Sequence, residues 1–261
     1  MDLGIKGKVA LVLASSRGLG QAMAISLARE GVKVAVTGRN PEGLNTTVEM
    51  VKAVGGIALP IPWDLSELGA IDPNVSLVEQ QLGPIDILIN NTGGPPPTSA
   101  AGQDPKLWEK SFHDMILSII SITDRVLPGM RERHWGRIIT STTSGAIAPI
   151  RNLAISNTLR AGLSAWSKTL ASEVANDGIT TNIIMPGRVA TDRLRQLDEA
   201  RSKRENISYE AVVEASLKLI PAGRYGDPRE YGDTAAFLAS MNAAYITGSV
   251  IRVDGGQIPS I

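Results

Sequence analysis

The chain has 261 residues and carries 26 basic and 26 acidic side chains, so its formal net charge is zero. A balanced charge gives no general attraction to nucleic acid or to a membrane surface. The sequence contains no cysteine, which excludes disulfides, thiolate metal ligands and a cysteine nucleophile. No metal site is predicted, and the expected partners are small molecules and further copies of the chain. The apolar run at the N-terminus is too short for a signal peptide or a membrane span, so a cytoplasmic protein is expected.

Short β-branched runs alternate with longer segments of helical period along the chain. They predict seven strands, over residues 9–13, 32–36, 57–61, 85–89, 137–140, 180–185 and 250–253. Apolar stripes over 116–127 and 163–174 predict two long amphipathic helices. A chain of this length suits one domain. The sequence therefore predicts a single-domain, doubly wound α/β protein, with helices on both faces of a parallel seven-stranded sheet.

A turn with two glycines follows the first predicted strand and leads directly into a helix predicted over 21–30. It reads Ser15, Ser16, Arg17, Gly18, Leu19 and Gly20. A helix N-terminus presents unpaired amides, and nearby glycines let a pyrophosphate approach the backbone. This strand, turn and helix predict a Rossmann-type dinucleotide site. A tight turn whose glycines serve only packing is the alternative.

The second predicted strand ends in Thr37-Gly38-Arg39-Asn40, without an acidic residue. A site for NAD usually places Asp or Glu there for the ribose hydroxyls, whereas an arginine suits the 2′-phosphate of NADP. Arg17 in the glycine turn adds a second positive charge. These residues favour NADP over NAD, with an exposed and ligand-free Arg39 as the alternative.

Residues 191–221 are charged at their start and interrupt the alternation of strands and helices. They leave the carboxyl end of the sixth predicted strand, and ligands of open α/β sheets bind at that edge. The segment is predicted to be a substrate-covering lid. A solvated helical excursion is the alternative.

An ordered set of motifs follows along the chain. It comprises the glycine turn, Asp64 after the third strand, Asn90-Asn91-Thr92-Gly93 after the fourth, Pro186-Gly187 with Thr191 after the sixth, and the runs 246–248 and 253–256. In this the chain resembles the short-chain dehydrogenase/reductase family, near its 3-oxoacyl-acyl-carrier-protein reductase branch. One departure is Ala14, which stands where that family has its first glycine.

The resemblance implies roles for the motif residues. Asp64, with Leu65 beside it, would contact the adenine, and Asn90, Asn91 and Gly93 would line the nucleotide cleft. The run from Pro186 and Gly187 to Thr191 would hold the nicotinamide amide. Structural alternatives are a helix cap for Asp64 and a buried hydrogen-bonding role for Asn90.

The family's catalytic Asn-Ser-Tyr-Lys tetrad is replaced throughout. By the resemblance, its positions fall on Met115, Thr143, Ser156 and Arg160. Thr143 keeps a hydroxyl that can orient a carbonyl oxygen, and Arg160 can still donate to ribose hydroxyls. Arg160 cannot pass on a proton, Met115 cannot hold a relay water, and Ser156 is a far poorer acid than tyrosine. The four tyrosines all lie late in the chain, and only Tyr209 falls in the predicted lid.

Two functions remain open. The first is an NADP-dependent oxidoreductase of the short-chain type with an altered proton route, acting on a carbonyl or alcohol such as a 3-oxoacyl thioester. The second is a catalytically silent dinucleotide-binding protein, either a sensor or a supporting subunit. A serine hydrolase would need a G-x-S-x-G elbow and a histidine in reach, which the sequence lacks. The resemblance also implies a homotetramer built through the two long helices.

Overall fold

The computed structural model describes residues 2–260 and contains a seven-stranded sheet. Its strands are β1 (Val9–Val12), β2 (Lys33–Gly38), β3 (Ile57–Pro62), β4 (Ile87–Asn90), β5 (Gly136–Ser141), β6 (Ile179–Pro186) and β7 (Val250–Val253). Each neighbouring pair is parallel, in the order β3-β2-β1-β4-β5-β6-β7. All seven predicted strands are confirmed. The order reverses direction between β1 and β4, which opens a crevice at their carboxyl ends.

Nine α-helices accompany the strands within residues 2–260. They are α1 (Gly18–Arg29), α2 (Pro41–Ala53), α3 (Ile71–Gln81), α4 (Pro105–Phe112), α5 (Ser118–Glu132), α6 (Ala154–Val174), α7 (Asp192–Glu205), α8 (Tyr209–Leu217) and α9 (Pro228–Leu238). A π-helical turn, His113–Leu117, joins α4 to α5 without a break. In the part of the chain described, no helix has both the length and the apolar character needed to cross a membrane.

Two apolar clusters, one on each face of the sheet, form the core. Residues of α3, α5 and α6 pack on one face, and residues of α1, α2 and α9 pack on the other. The strands in the middle of the sheet are buried throughout because both of their faces are covered. This double covering confirms the doubly wound fold.

Both predicted amphipathic stripes face this core. Ile119 and Ile122 of α5 are fully buried, as are Leu163 and Val174 of α6. The predicted helix after the glycine turn begins at Gly18 rather than at Gln21, because the turn itself winds into the first helical residues. The interrupted region 191–221 contains α7 and α8, joined through Asn206 in a left-handed conformation.

Candidate active site

The glycine turn after β1 lies at the crevice and is fixed to the end of β2. The Ser15 hydroxyl donates to the Val12 carbonyl (2.8 Å) and accepts the Thr37 N–H (2.9 Å). The Ser15 N–H donates in turn to the Thr37 carbonyl (2.7 Å). These bonds are buried, so the turn is held rigidly beside the N-terminus of α1.

The turn has the shape and the free donors of a phosphate cradle. A Cβ atom at Gly20 would lie 2.4 Å from the Ala14 carbonyl oxygen, so only glycine fits there. Gly18 has a φ of +61°, which also favours glycine. Arg17 precedes α1 without a capping side-chain hydrogen bond, and the first turn of α1 has no acid. The first amides of α1 are therefore left for an anion, as a dinucleotide pyrophosphate requires.

Ala14 occupies the left-handed region, with a φ of +46°. For a residue with a Cβ this conformation costs about 1–2 kcal/mol. The Ala14 N–H donates to the Thr37 hydroxyl (3.0 Å), and the Asn91 amide donates to the Ala14 carbonyl (3.2 Å). The surrounding hydrogen bonds thus hold the backbone in a glycine-like shape without the glycine.

Arg39 and Asp64, predicted to contact the adenosine end of a dinucleotide, lie together at one corner of the crevice. The Arg39 guanidinium is exposed, and its Nη1 is 3.7 Å from Asp64 Oδ2. Asp64 accepts hydrogen bonds from the Ser66 N–H (3.0 Å) and hydroxyl (2.8 Å). Burial disfavours the charged carboxylate, but the Ser66 bonds and the charge of Arg39 outweigh it and lower the pKa of Asp64. Leu65 packs against the edge of the core.

The loop after β4 forms the next part of the crevice wall. Asn90 is buried, and its amide donates to the Thr123 hydroxyl (3.1 Å). Asn91 reaches the first turn, where its amide donates to the Leu13 carbonyl (3.3 Å) as well as to Ala14. A Cβ atom at Gly93 would meet nothing within 4 Å, so the crevice is open at Gly93.

The end of β6 supplies the opposite wall. The Gly187 N–H donates to the Val253 carbonyl (2.9 Å), and a Cβ atom at Gly187 would lie 2.6 Å from the Asp254 Cα. Glycine therefore lets the chain after Pro186 pack on the end of β7. Thr191 caps α7 by accepting the Leu194 N–H (3.3 Å).

Three of the four predicted tetrad positions have few polar contacts. Thr143 follows β5, and its hydroxyl oxygen accepts the Gly145 N–H (3.4 Å), which leaves its own O–H free to donate. Ser156 is half-buried near the start of α6, and its hydroxyl makes no hydrogen bond to any residue in 2–260. Met115 is buried in the π-helical turn. The site therefore holds hydroxyl groups at two positions and an apolar group at the third.

Arg160, at the fourth predicted position, is buried and bonded to the end of β5 and to the loop after β4. Its Nη1 donates to the Ser141 carbonyl (3.1 Å), and its Nη2 donates to the Thr92 carbonyl (3.0 Å) and hydroxyl (2.8 Å). No carboxylate in residues 2–260 forms an ion pair with it. Burial lowers the pKa of Arg160 to about 10, and the neighbouring Tyr231 acts weakly in the opposite direction. The group is therefore still a cation near neutral pH.

Tyr231 of α9 contacts the Ser141 side chain at the edge of this site, although no pattern in the sequence gave it a role. Its hydroxyl lies 2.8 Å from the Ser141 Oγ and donates to the Ile184 carbonyl (3.1 Å). Burial raises the pKa of Tyr231 well above its ordinary value, although Ser141 and Arg160 act in the opposite direction. Its spacing with Ala235 and Leu238 on one helical face was a signal for burial. The contact with Ser141 had no such signal.

Residues 191–221 are anchored to the end of β6 by a buried ion pair. Arg188 Nη1 lies 2.7 Å from Asp198 Oδ1 of α7, and the Tyr225 hydroxyl donates to Asp198 Oδ2 (2.8 Å). Burial and the bond to Asp198 raise the pKa of Tyr225. A cavity of about 340 Å³ separates the start of the segment from α1, lined in part by Gly18, Thr191 and Asp192.

Comparison with known proteins gives consistent matches over nearly the whole chain. A family model described as enoyl-(acyl carrier protein) reductase matches residues 13–257. The chain is 34% identical over 250 residues to an acetoacetyl-CoA reductase of Shinella zoogloeoides, covering 96% of this chain and 98% of the relative. It is 34% identical over 259 residues to a 3-oxoacyl-[acyl-carrier-protein] reductase of Vibrio cholerae, covering 98% and 99%. The crystal structure of L-sorbose reductase from Gluconobacter frateurii, complexed with NADPH and L-sorbose, superposes with a TM-score of 0.94 at 29% identity and full coverage of both chains.

Proposed function

The chain belongs to the short-chain dehydrogenase/reductase family of oxidoreductases, and from that membership we propose that it transfers hydride between NADP and a carbonyl or alcohol substrate. The observation that carries the proposal is the phosphate cradle. The N-terminus of α1 is uncapped, and Gly20 admits no side chain. The dinucleotide, when bound there, supplies or accepts the hydride.

The preference for NADP over NAD rests on the corner formed by Arg39 and Asp64. The Arg39 guanidinium is exposed and close to the phosphate turn that carries Arg17, so both cations are available to a 2′-phosphate. No acid ends β2 to accept ribose hydroxyls. The NADPH complex of L-sorbose reductase supports the same choice.

For the substrate we propose a 3-oxoacyl thioester or a related ketone, the class that the two curated relatives are named for. Thr143 has a free O–H with which to orient the substrate oxygen. Ser156 is too weak an acid to replace a tyrosine, and the buried Tyr231 holds its proton. The proton therefore comes from solvent, and a lost general acid costs roughly 10² to 10⁴ in rate.

The first experiment is a calorimetric titration of the protein with NADPH and with NADH, followed by an assay of NADPH consumption with acetoacetyl-CoA. We expect tighter binding of NADPH, and slow but measurable consumption. Arg39→Ala should weaken NADPH binding about 10-fold to 100-fold, the value of a charge-assisted contact, while binding of NADH stays unchanged. Lys52→Ala, an exposed cation on α2 paired with Glu49, is the matched control.

Failure to bind either nucleotide would overturn the proposal. Binding without turnover of any 3-oxo substrate would instead support the silent dinucleotide-binding protein, which the reductase names of the relatives do not favour.

A further inference from the structure

The helix α7 is held on the protein by a carboxylate rather than by an apolar stripe. Asp198 is its one buried residue, with 1% of its surface exposed, and Leu194 and Leu197 are only half-buried. A surface helix is usually fixed by an apolar face that packs on the core. In α7, whose 14 residues are all described, that face is missing. Its position therefore depends on the bonds that Asp198 makes.

Both oxygens of Asp198 are used, and they join three parts of the chain. Oδ1 lies 2.7 Å from Nη1 of Arg188, which follows Gly187 at the end of β6. Oδ2 accepts a hydrogen bond from the hydroxyl of Tyr225 (2.8 Å), which lies beyond α8. Because the carboxylate is almost fully removed from water, these charge-assisted bonds are strong. Asp198 thus ties the exit of β6, α7 and the return segment together.

Backbone hydrogen bonds close the base of the same segment. The Gly226 N–H donates to the Arg188 carbonyl (2.9 Å), and the Ala190 N–H donates to the Gly226 carbonyl (2.9 Å). The Ala222 N–H also donates to the Gly255 carbonyl (3.1 Å), beyond β7. The entry and the exit of the segment are thus fixed to each other and to the end of the sheet. With this base closed, α7 can move away only if the two carboxylate bonds break.

The start of α7 lies against the phosphate turn. Thr191 caps α7, and its Cγ2 would lie 3.9 Å from a Cβ atom at Gly18. The run from Gly187 to Thr191 therefore connects the end of β6 to the cradle, and the proposed function places it beside the nicotinamide half of the cofactor. A shift of α7 would displace this run, which forms one wall of the cofactor site.

We propose that Asp198 is a positioning residue, which holds α7 in place before any ligand binds and fixes the run after Gly187 through Arg188. The cofactor then meets an ordered wall, so the cost of ordering that wall is not subtracted from its affinity. The effect on the cofactor rests on the proposed function, whereas the anchoring of α7 does not.

Hydrogen–deuterium exchange of the full chain without ligand tests the anchoring. Asp198→Asn keeps the shape of the side chain but removes its charge. We expect amide exchange over residues 188–205 to rise about 10-fold or more, the value of one lost charge-assisted bond. Exchange in β4 and β5 should stay unchanged, which shows that the core is folded.

Two further variants make this comparison specific. Glu199→Gln is the matched control, because Glu199 is next to Asp198 but pairs with the exposed Arg195, and its exchange should equal that of wild type. Tyr225→Phe removes one of the two bonds and keeps the ion pair, so it should give a smaller rise. It also carries the test if Asp198→Asn does not fold.

Calorimetry with NADPH and with adenosine 2′,5′-bisphosphate tests the effect on the cofactor. The bisphosphate carries phosphates for the cradle and for Arg39, but it has no nicotinamide. We expect Asp198→Asn to weaken NADPH binding about 10-fold and to leave bisphosphate binding unchanged. A merely structural role for Asp198 would weaken the binding of both ligands equally.

Unchanged exchange over 188–205 in both Asp198→Asn and Tyr225→Phe would overturn the proposal. Unchanged NADPH binding, or an equal loss of affinity for the two ligands, would overturn it as well. If wild type binds neither ligand, the proposed function fails, and the exchange experiment alone decides whether Asp198 holds α7.

Discussion

Tyr231 is a buried phenol next to Ser141, and its surroundings keep it protonated. Its hydroxyl is buried between Ser141 and the Ile184 carbonyl, and its pKa is raised. A phenol that does not ionise cannot act as a proton donor. Tyr231 therefore does not replace the tyrosine that the predicted tetrad lacks.

A pH titration of tyrosine absorbance checks this inference. In the unfolded chain Tyr231 ionises near pH 10, whereas in the folded protein it stays neutral, so the folded state binds more protons above that pH. Its contribution to stability is present below about pH 10 and is lost as the pH rises further. We expect one of the four tyrosines to ionise only when the protein unfolds. This late ionisation should be absent from the Tyr231→Phe variant.

The Tyr231→Phe substitution should also lower the free energy of unfolding by roughly 1–3 kcal/mol, because it leaves the buried Ser141 hydroxyl and Ile184 carbonyl without this hydrogen-bond partner. Tyr245→Phe is the control, since Tyr245 is fully exposed, and a denaturant titration compares the two variants. Equal stability of Tyr231→Phe and wild type would contradict the buried network.

The contacts of some of these residues could be predicted from the sequence, whereas those of others could not, for a physical reason. Arg39 and Asp64 follow two consecutive strands of a predicted parallel sheet, and because consecutive strands are usually neighbours, their meeting at one sheet edge could be predicted. Tyr231 and Ser141 are 90 residues apart, and no local pattern pairs them. A position for Arg160 could be predicted from the resemblance, but the carbonyls that orient its guanidinium belong to the end of β5 and to the loop after β4, both distant in sequence.

Among the elements, α6 is joined to the loop after β4 and to the last residue of β5 through Arg160. The guanidinium bonds to Thr92 and Ser141, and a backbone bond from Thr98 to the Asn152 carbonyl (2.9 Å) joins the same two connections. Arg160 is therefore a positioning residue for the crevice wall.

Arg160→Met should release this wall. We expect faster amide hydrogen exchange over residues 92–98 and 141–146, since the bonds that limit local opening are removed. Arg160→Lys keeps the charge without the planar fork and should give an intermediate rate. Arg151→Met, at an exposed position before α6, is the control and should leave exchange there unchanged. Unchanged hydrogen exchange in Arg160→Met would show that these segments are held in place without the Arg160 hydrogen bonds.

The π-helical turn at Met115 shows a limit of periodicity. The sequence predicted an apolar helical stripe over 116–127, and in the structure α4, the turn and α5 form one continuous helical segment. The wider π-helical turn keeps the apolar face of the helix continuous. The apolar stripe in the sequence therefore does not reveal the turn. Such turns occur often at functional sites, and this one contains Met115, one of the predicted tetrad positions.

For the whole molecule, the seven strands and the double covering of the sheet were predictable because buried parallel strands leave a strong apolar signal. The homotetramer through the two long helices stays a prediction, and because the apolar stripes of α5 and α6 face the core, such an interface would use the outer faces of these helices. Exposed apolar side chains also occur near the edge strand β7, at Phe237, Met241, Tyr245 and Val250. An unpaired strand edge with apolar neighbours favours association.

Size-exclusion chromatography with light scattering should give a mass about four times the 27.6 kDa of one chain. Val250→Lys on β7 should lower that mass, because a charge on the edge strand opposes pairing. Ile57→Lys, at an exposed position on β3 at the opposite edge of the sheet, should leave the mass unchanged. A monomer in the wild type would contradict the tetramer.

The unpaired arginines of the crevice affect how fast charged ligands reach the protein. Arg17, Arg160 and Arg193 form no ion pair within residues 2–260, yet the whole chain is neutral. These three cations give the crevice a local positive charge that the neutral net charge of the chain does not reveal. An anion close to the crevice is attracted to it, so its rate of encounter falls with ionic strength even though the net charge is zero.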